Sequence, residues 1–423
     1  MTWIEAAAAR QPDRIAIEGP ERTFSYRALR DAAAARAGAV RGPRVALSAG
    51  AVEDFIVDLH ACLLAGAAAV PIDLRLSAAE QEVRRAAAQV TVAEAPGADV
   101  PIGADLAVGA EALGADVPVA VMHTSGTTAA PKPVVLTRRN FEASALGSAI
   151  ALGLDPAERW LCPMPLTHVG GLSIPIRSAI YATTAVLHGR FDTEAVLSDL
   201  MDPGRRITLV SLVPTMLARL LDAGLQEPPT LRWALLGGGP IAPALLERAS
   251  AAGVPVAPTY GMTEACSQIA TFGWPLTAVD VRIADDDEVL VRGPIVSAGA
   301  VSVDGWLHTG DLGRFDERGR VQIIGRKSDT IVSGGENIAP AEVEAVLLEH
   351  PAVADAAVHP RVDAEWGEAA VATVVLRDGL SAAPEELRAH CAARLAAFKV
   401  PKDVRFADRL PRTPSGKLLR RQL

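Results

Sequence analysis

Thr124-Ser-Gly-Thr-Thr-Ala-Ala-Pro-Lys-Pro-Val134 is the stretch around which the rest of the chain reads. It follows an apolar run over 117–122 that has the character of a buried strand. It precedes Thr137, a fitting N-cap for the helix expected next, so the stretch reads as a strand–helix connection. Hydroxyls and a glycine at such a place suit the wrapping of phosphate oxygens. Thr124, Ser125, Gly126, Thr127 and Thr128 offer N–H and O–H donors, and Lys132 adds a point charge.

The NTPase phosphate loop, G-x-x-x-x-G-K-[ST], is the obvious rival. Lys132 stands at the right distance from Gly126, but Pro131 replaces the second glycine and Pro133 the hydroxyl that holds magnesium. Proline also removes a donor where that loop needs one. The stretch instead resembles the T-S-G-T-T-G-x-P-K-G-V loop of the adenylate-forming superfamily, which contains acyl-CoA synthetases, luciferases and peptide-synthetase adenylation domains. Ala129 and Pro133 stand where that pattern has glycine, changes expected to stiffen the loop and slow its closure over ATP.

A chain of 423 residues, half of them apolar, buries a large core divided among two or more domains. Its net charge of −9 argues against nucleic acid or an acidic lipid surface as the main partner. Cys62, Cys162, Cys266 and Cys391 are scattered without a C-x-x-C pair, which suits a reduced cytoplasmic protein with neither zinc site nor disulfide framework. No secretory signal is read at the start, and the longest apolar run, 61–72, is too short to span a bilayer.

A helix over 26–40 is expected, capped by Ser25. Short β-like runs at 44–48, 68–72, 89–93, 117–122, 184–187, 208–212, 233–236 and 255–260 then alternate with helical segments such as 52–64, 214–222 and 242–252. Such alternation predicts an α/β fold, a large N-terminal domain of α/β layers with largely parallel sheets, followed by a smaller α+β unit. Ligands in sheets of this kind collect at the carboxyl ends of strands.

The remaining motifs fall at those ends. Pro163-Met-Pro-Leu-Thr-His168-Val-Gly-Gly171 sets an imidazole before glycines that permit close approach. Leu235-Leu-Gly-Gly-Gly-Pro240 follows a strand and opens a helix. In Thr259-Tyr-Gly-Met-Thr-Glu264, Tyr260 offers a flat face, Thr263 a donor and Glu264 a magnesium ligand. Asp311, in Gly305-Trp-Leu-His-Thr-Gly-Asp311, can accept two hydrogen bonds side by side, and Arg326 ends a strand.

All these match the superfamily in its own order, and the resemblance implies their roles. Gly238, Gly239 and Tyr260 lie along the adenine; Thr263 meets the α-phosphate; Asp311 and Arg326 hold the ribose. His168, Gly238 and Gly261 border the acyl group, and Glu264 takes Mg²⁺. The resemblance implies a domain break between 1–327 and 328–423, with Lys327 and Ser328 as hinge, where the family usually has Asp or Lys at the position of Ser328. Gly334 and Gly335 line the thiol tunnel, and Lys417, in Pro411-Arg-Thr-Pro-Ser-Gly-Lys417, is the catalytic lysine of the first half-reaction. The small domain rotates between the half-reactions. The implied reaction takes ATP and a carboxylic acid to an acyl-adenylate, then transfers the acyl group to coenzyme A.

The stretches 166–178, 208–215 and 235–240 together look like the o-succinylbenzoate–CoA ligases of menaquinone biosynthesis, although Thr167 and Gly170 replace that group's usual Phe and Ser. For that acid Arg177, nine residues after His168, is expected to hold the ring carboxylate. A general aryl- or acyl-CoA ligase, a stand-alone adenylation enzyme loading a carrier, and a non-catalytic nucleotide sensor are the alternatives. Whether copies form a homo-oligomer is left open.

Overall fold

The computed structural model describes residues 1–48, 51–89, 116–124, 132–364, 366–412 and 418–423. The chain divides into two compact units. One comprises Met1–Gly238, Ala252–Asp280 and Val291–Leu307; the other comprises Gly239–Ala251, Val281–Leu290 and His308–Leu423.

Among the described residues the first unit carries a nine-stranded and a four-stranded sheet. In the larger sheet, strands Val256–Tyr260, Trp233–Leu236, Leu209–Leu212, Arg159–Cys162, Thr184–Leu187 and Ile15–Glu18 lie side by side and parallel. Leu209–Leu212 and Thr184–Leu187 are buried throughout and Arg159–Cys162 and Trp233–Leu236 at all but their first residue, as strands covered on both faces must be. Short antiparallel strands close both edges, Thr23–Ser25 at one and Ala270–Thr271 with Trp274–Pro275 at the other. Alternation of strands with helices such as Val52–Leu64 and Pro214–Asp222 agrees with the α/β expectation.

The smaller sheet corrects one expectation. The central stretch was read as joining a strand directly to a helix. A second strand, Lys132–Thr137, intervenes and pairs antiparallel with Pro118–Thr124. Val134 and Leu136 alternate inward, and the strand lies at the sheet's edge, where Pro133 costs no ladder hydrogen bond to a further neighbour. Other boundaries shift by a residue or a few; the helix Tyr26–Ala37, for one, stops short of 40. Of the strand expected over 89–93, Gln89 ends the helix Ala78–Gln89 and the rest lies outside the described residues.

Thr137 does cap the helix Arg138–Leu152. Its backbone N–H donates to Asn140 Oδ1 at 2.8 Å, and its Oγ1 accepts from the Asn140 N–H at 3.4 Å. Asn140 Nδ2 also donates to the carbonyls of Pro294 and Val296 at 2.9 and 3.0 Å, which locks the helix in register. Thr137→Ala is expected to lower the stability of this unit by about 1 kcal/mol, the usual worth of such a cap. A denaturant titration followed by tryptophan fluorescence reads the shift, and an unmoved midpoint would refute it.

The second unit holds most of a four-stranded sheet over 280–326, in which Leu307–Phe315 and Val321–Arg326 are antiparallel. It also holds a five-stranded sheet built on the long hairpin Val353–Asp363 and Gly367–Leu376, which Pro340–Leu348 and Pro384–Ala392 accompany. The expected α+β character of the C-terminal part is present. No helix among the described residues is long and apolar enough to cross a membrane.

Candidate active site

In the first unit the motif residues gather at strand ends. Thr124 is the last residue of its strand and faces Lys132, the exposed first residue of the next. Ser125, Gly126, Thr127 and Thr128 lie outside the described residues, as do Ala129 and Lys417.

Tyr260 ends Val256–Tyr260 and leads into the one-turn helix Thr263–Ala265. Between them, any Cβ on Gly261 would lie 1.6 Å from the Ser267 carbonyl oxygen, so only glycine lets the chain turn there. That turn sets out Thr263 and Glu264 half-buried. The Glu264 backbone carbonyl accepts from the Ser297 N–H at 2.8 Å, while its carboxylate has no partner among the described residues. No cluster of three or more metal-ligating side chains exists among the described residues. The donor set therefore fits a magnesium ion held by one carboxylate and otherwise by phosphate and water oxygens, and fits no all-protein metal cage. Gly238, at φ +78°, occupies the left-handed region that favours glycine after the strand Trp233–Leu236.

His168 is the N-cap of Val169–Tyr181 but does not cap with its side chain; the ring is exposed and has no hydrogen-bond partner among the described residues. Its surroundings still desolvate it enough to hold its pKa below the ordinary value, an effect that the nearby Arg75 charge reinforces and Asp73 opposes. It is thus a neutral imidazole at neutral pH. The helix it opens contains Pro175, which has no N–H to give the Gly171 carbonyl one turn back. The Cys162 thiol takes that place, 3.7 Å from the Gly171 oxygen and 3.5 Å from that of Met164. Burial pushes this thiol up to about 12, so it stays protonated and serves as a donor. Its position was not legible as functional in the sequence.

Arg177 lies further along the same helix, roughly 13 Å from His168 by the rise per residue. Its residue is only 2% exposed. One Nη2 donates to Ser144 Oγ at 2.8 Å, and the guanidinium carbon sits 5.6 Å from the centre of the Trp160 ring. Nε has no partner, and no carboxylate among the described residues forms an ion pair with it. Desolvation lowers its pKa from the ordinary value, against the smaller influences of Tyr181 and Cys266. A cation so deeply buried without a counter-charge is costly unless a ligand supplies one. Sequence reasoning missed Ser144; the available signal was its spacing, four residues from both Asn140 and Ser148, which repeats small polar groups on one buried helical face.

In the second unit, Asp311 and Arg326 are directly opposite one another on adjacent strands. Arg326 Nε lies 2.8 Å from Asp311 Oδ1, so the two residues expected at the ribose are brought together. Gly239 is in this unit and exposed. Lys327 is bound to Asp286 at 2.6 Å and Glu288 at 3.2 Å; Ser328 is exposed in the one-turn helix Lys327–Asp329. Gly334 and Gly335 both have positive φ, and a Cβ on Gly334 would lie 2.6 Å from the Trp366 ring. On either side of 413–417, Arg412 and Leu418 form a β-bridge, and the Leu419 N–H donates to the Pro411 carbonyl at 2.9 Å. Arg412 is paired with Asp355 and Arg420 with Glu344, so these two arginines are engaged in structural ion pairs.

Residues 4–100 and 93–305 match the AMP-binding enzyme family, and 342–417 match the AMP-binding enzyme C-terminal domain. A 2-succinylbenzoate–CoA ligase of Bacillus licheniformis is 37% identical, with all of this chain and 98% of that protein aligned. The o-succinylbenzoate CoA synthetase of Bacillus subtilis, solved in complex with its acyl-adenylate intermediate, superposes with a TM-score of 0.86 at 36% identity, over 99% of this chain and 97% of that one. The same protein in complex with ATP and a magnesium ion gives a TM-score of 0.85 at 35% identity, over 100% and 98% of the two chains. With these matches over the full length, the chain belongs to the AMP-binding enzyme family.

Proposed function

We propose that this chain is a 2-succinylbenzoate–CoA ligase, forming o-succinylbenzoyl-CoA, AMP and diphosphate from the acid, ATP and coenzyme A in menaquinone biosynthesis. A free carboxylate is a poor electrophile because its oxide is a poor leaving group. ATP remedies this: the succinyl carboxylate attacks the α-phosphorus, diphosphate leaves, and the acyl group is attached to AMP. The CoA sulfur then attacks the acyl carbon and AMP departs.

In this reading Thr263 donates to the α-phosphate and Tyr260, Gly238 and Gly239 take the adenine. Thr124, Ser125, Gly126, Thr127, Thr128 and Lys132 hold the outer phosphates, and Asp311 with Arg326 the ribose. Glu264 is the residue that would hold Mg²⁺, which when bound spreads the negative charge of the phosphates. Lys417 serves the first step, and Gly334 and Gly335 the second, with the functional break at 327/328 and Ser328 as its pivot. His168 and Gly261 line the acyl site.

The observation that carries the choice of acid is Arg177, a buried guanidinium without a carboxylate partner among the described residues. Two-carboxylate o-succinylbenzoate leaves one anion unreacted, and a permanent forked cation suits it. The names of the relatives point the same way. The test is thioester formation from ATP and CoA across a panel of carboxylic acids. o-Succinylbenzoate is expected to give the highest kcat/KM; a better aryl or fatty acid would overturn the substrate, and absence of diphosphate release with every acid would overturn the enzyme.

A further inference from the structure

We propose that Ser144 is a positioning residue, anchored on the Cys266 carbonyl, that orients the Arg177 guanidinium for the ring carboxylate. The inference rests on the reading of Arg177 given above.

Ser144 is 1% exposed, on the helix Arg138–Leu152. Its hydroxyl has two partners: Arg177 Nη2 at 2.8 Å and the Cys266 carbonyl oxygen at 2.8 Å. A guanidinium only donates and a carbonyl only accepts, so the proton's direction is determined. The hydroxyl accepts from Arg177 and gives its own hydrogen to Cys266. Through one oxygen, the buried cation is joined to the backbone that follows Glu264.

Both ends of that link need holding. Cys266 ends the turn Thr263–Ala265 with φ +49°, a region that side chains with a Cβ adopt only when something secures it. Its N–H donates to the Thr263 carbonyl at 3.1 Å, and Ser144 secures its carbonyl. At the other end, Arg177 Nε has no partner and the Trp160 ring constrains the guanidinium only from its side. Ser144 is therefore the one described hydrogen bond that fixes which way the guanidinium fork points. Ser144 is itself held in place, because Asn140, one turn earlier, bonds the carbonyls of Pro294 and Val296.

The test compares KM and kcat for o-succinylbenzoate, for 4-oxo-4-phenylbutanoate (the same acid without its ring carboxylate) and for ATP in purified variants. Ser144→Ala is expected to raise the KM for o-succinylbenzoate roughly three- to tenfold, in the range for a lost bond to a charged group. The KM values for the second acid and for ATP, and kcat, should stay within about twofold. Ser144→Cys, nearly equal in size and a weaker acceptor, should fall between and carries the test if the alanine variant does not fold. In an Arg177→Ala background, Ser144→Ala should add nothing to the KM for o-succinylbenzoate. Equal losses for both acids, or losses that add in the double variant, would make Ser144 merely structural and overturn the proposal. If Arg177→Ala is selective while both Ser144 variants are silent, this inference alone fails. If Arg177→Ala itself shows no selectivity, the substrate reading fails first and this inference with it.

Discussion

Replacing Lys417 by alanine lowers acyl-adenylate formation about a hundredfold or more, some 2.7 kcal/mol of barrier, and leaves thioester formation from supplied acyl-adenylate near its original rate. The reason is electrostatic. A carboxylate approaching a triphosphate brings two anions together, and charge builds on the α-phosphoryl oxygens as the new bond forms. A positioned ammonium is worth most where that charge develops. Two arginines close to it in the sequence are already engaged. Arg412 Nη2 holds both oxygens of Asp355 at 2.9 and 2.8 Å, and Arg420 is bound to Glu344, Asp329 and the Val358 carbonyl. Glu344 in turn accepts from the Val358 N–H at 2.7 Å, so moving Arg420 would break the frame itself. Single-turnover measurement of diphosphate release, beside a separate assay starting from the acyl-adenylate, decides the matter. Equal loss in the two half-reactions would remove Lys417 from the first step.

Arg177→Ala raises the KM for o-succinylbenzoate roughly tenfold or more, from loss of a charge-assisted bond of about 1.5–3 kcal/mol. The KM for ATP barely changes, and 4-oxo-4-phenylbutanoate loses little. A guanidinium that is 2% exposed and lacks a carboxylate partner among the described residues bears a desolvation cost that the Ser144 hydroxyl offsets only in part. Binding of the acid's second carboxylate would supply the missing counter-charge. The same reasoning makes a prediction about stability. Arg177→Met keeps much of the side-chain volume and removes an unpaired buried charge, so it should fold at least as well as the parent while showing the same selective rise in KM. If both acids suffered equally in folded Met and Ala variants, Arg177 would be a packing residue.

What the sequence alone determined is what is local. The alternation of apolar runs and helical segments determined the α/β layering, because a strand's burial and a helix's caps depend on neighbours a few residues away. Ser25 and Thr137 were readable as caps for that reason, and both accept the expected backbone N–H. The motifs around Gly126, Glu264 and Asp311 are local as well, short runs of fixed spacing, and the family they pointed to is the one the chain matches. The strand Lys132–Thr137 was not. Two prolines disguised it, and only its place at a sheet edge makes Pro133 tolerable.

Tertiary structure decided everything that depends on separate segments meeting. Asp311 faces Arg326 because of strand register, and Gly261 must be glycine because the Ser267 carbonyl folds back against it. The sequence offers Arg177 by its place nine residues after His168; only the packing shows that it is buried, without a carboxylate partner among the described residues, and held by a hydroxyl 33 residues away. Whether a buried charge is paired depends on which segments pack around it. Hydrophobic periodicity records that a face is buried, but not which polar atoms it meets there.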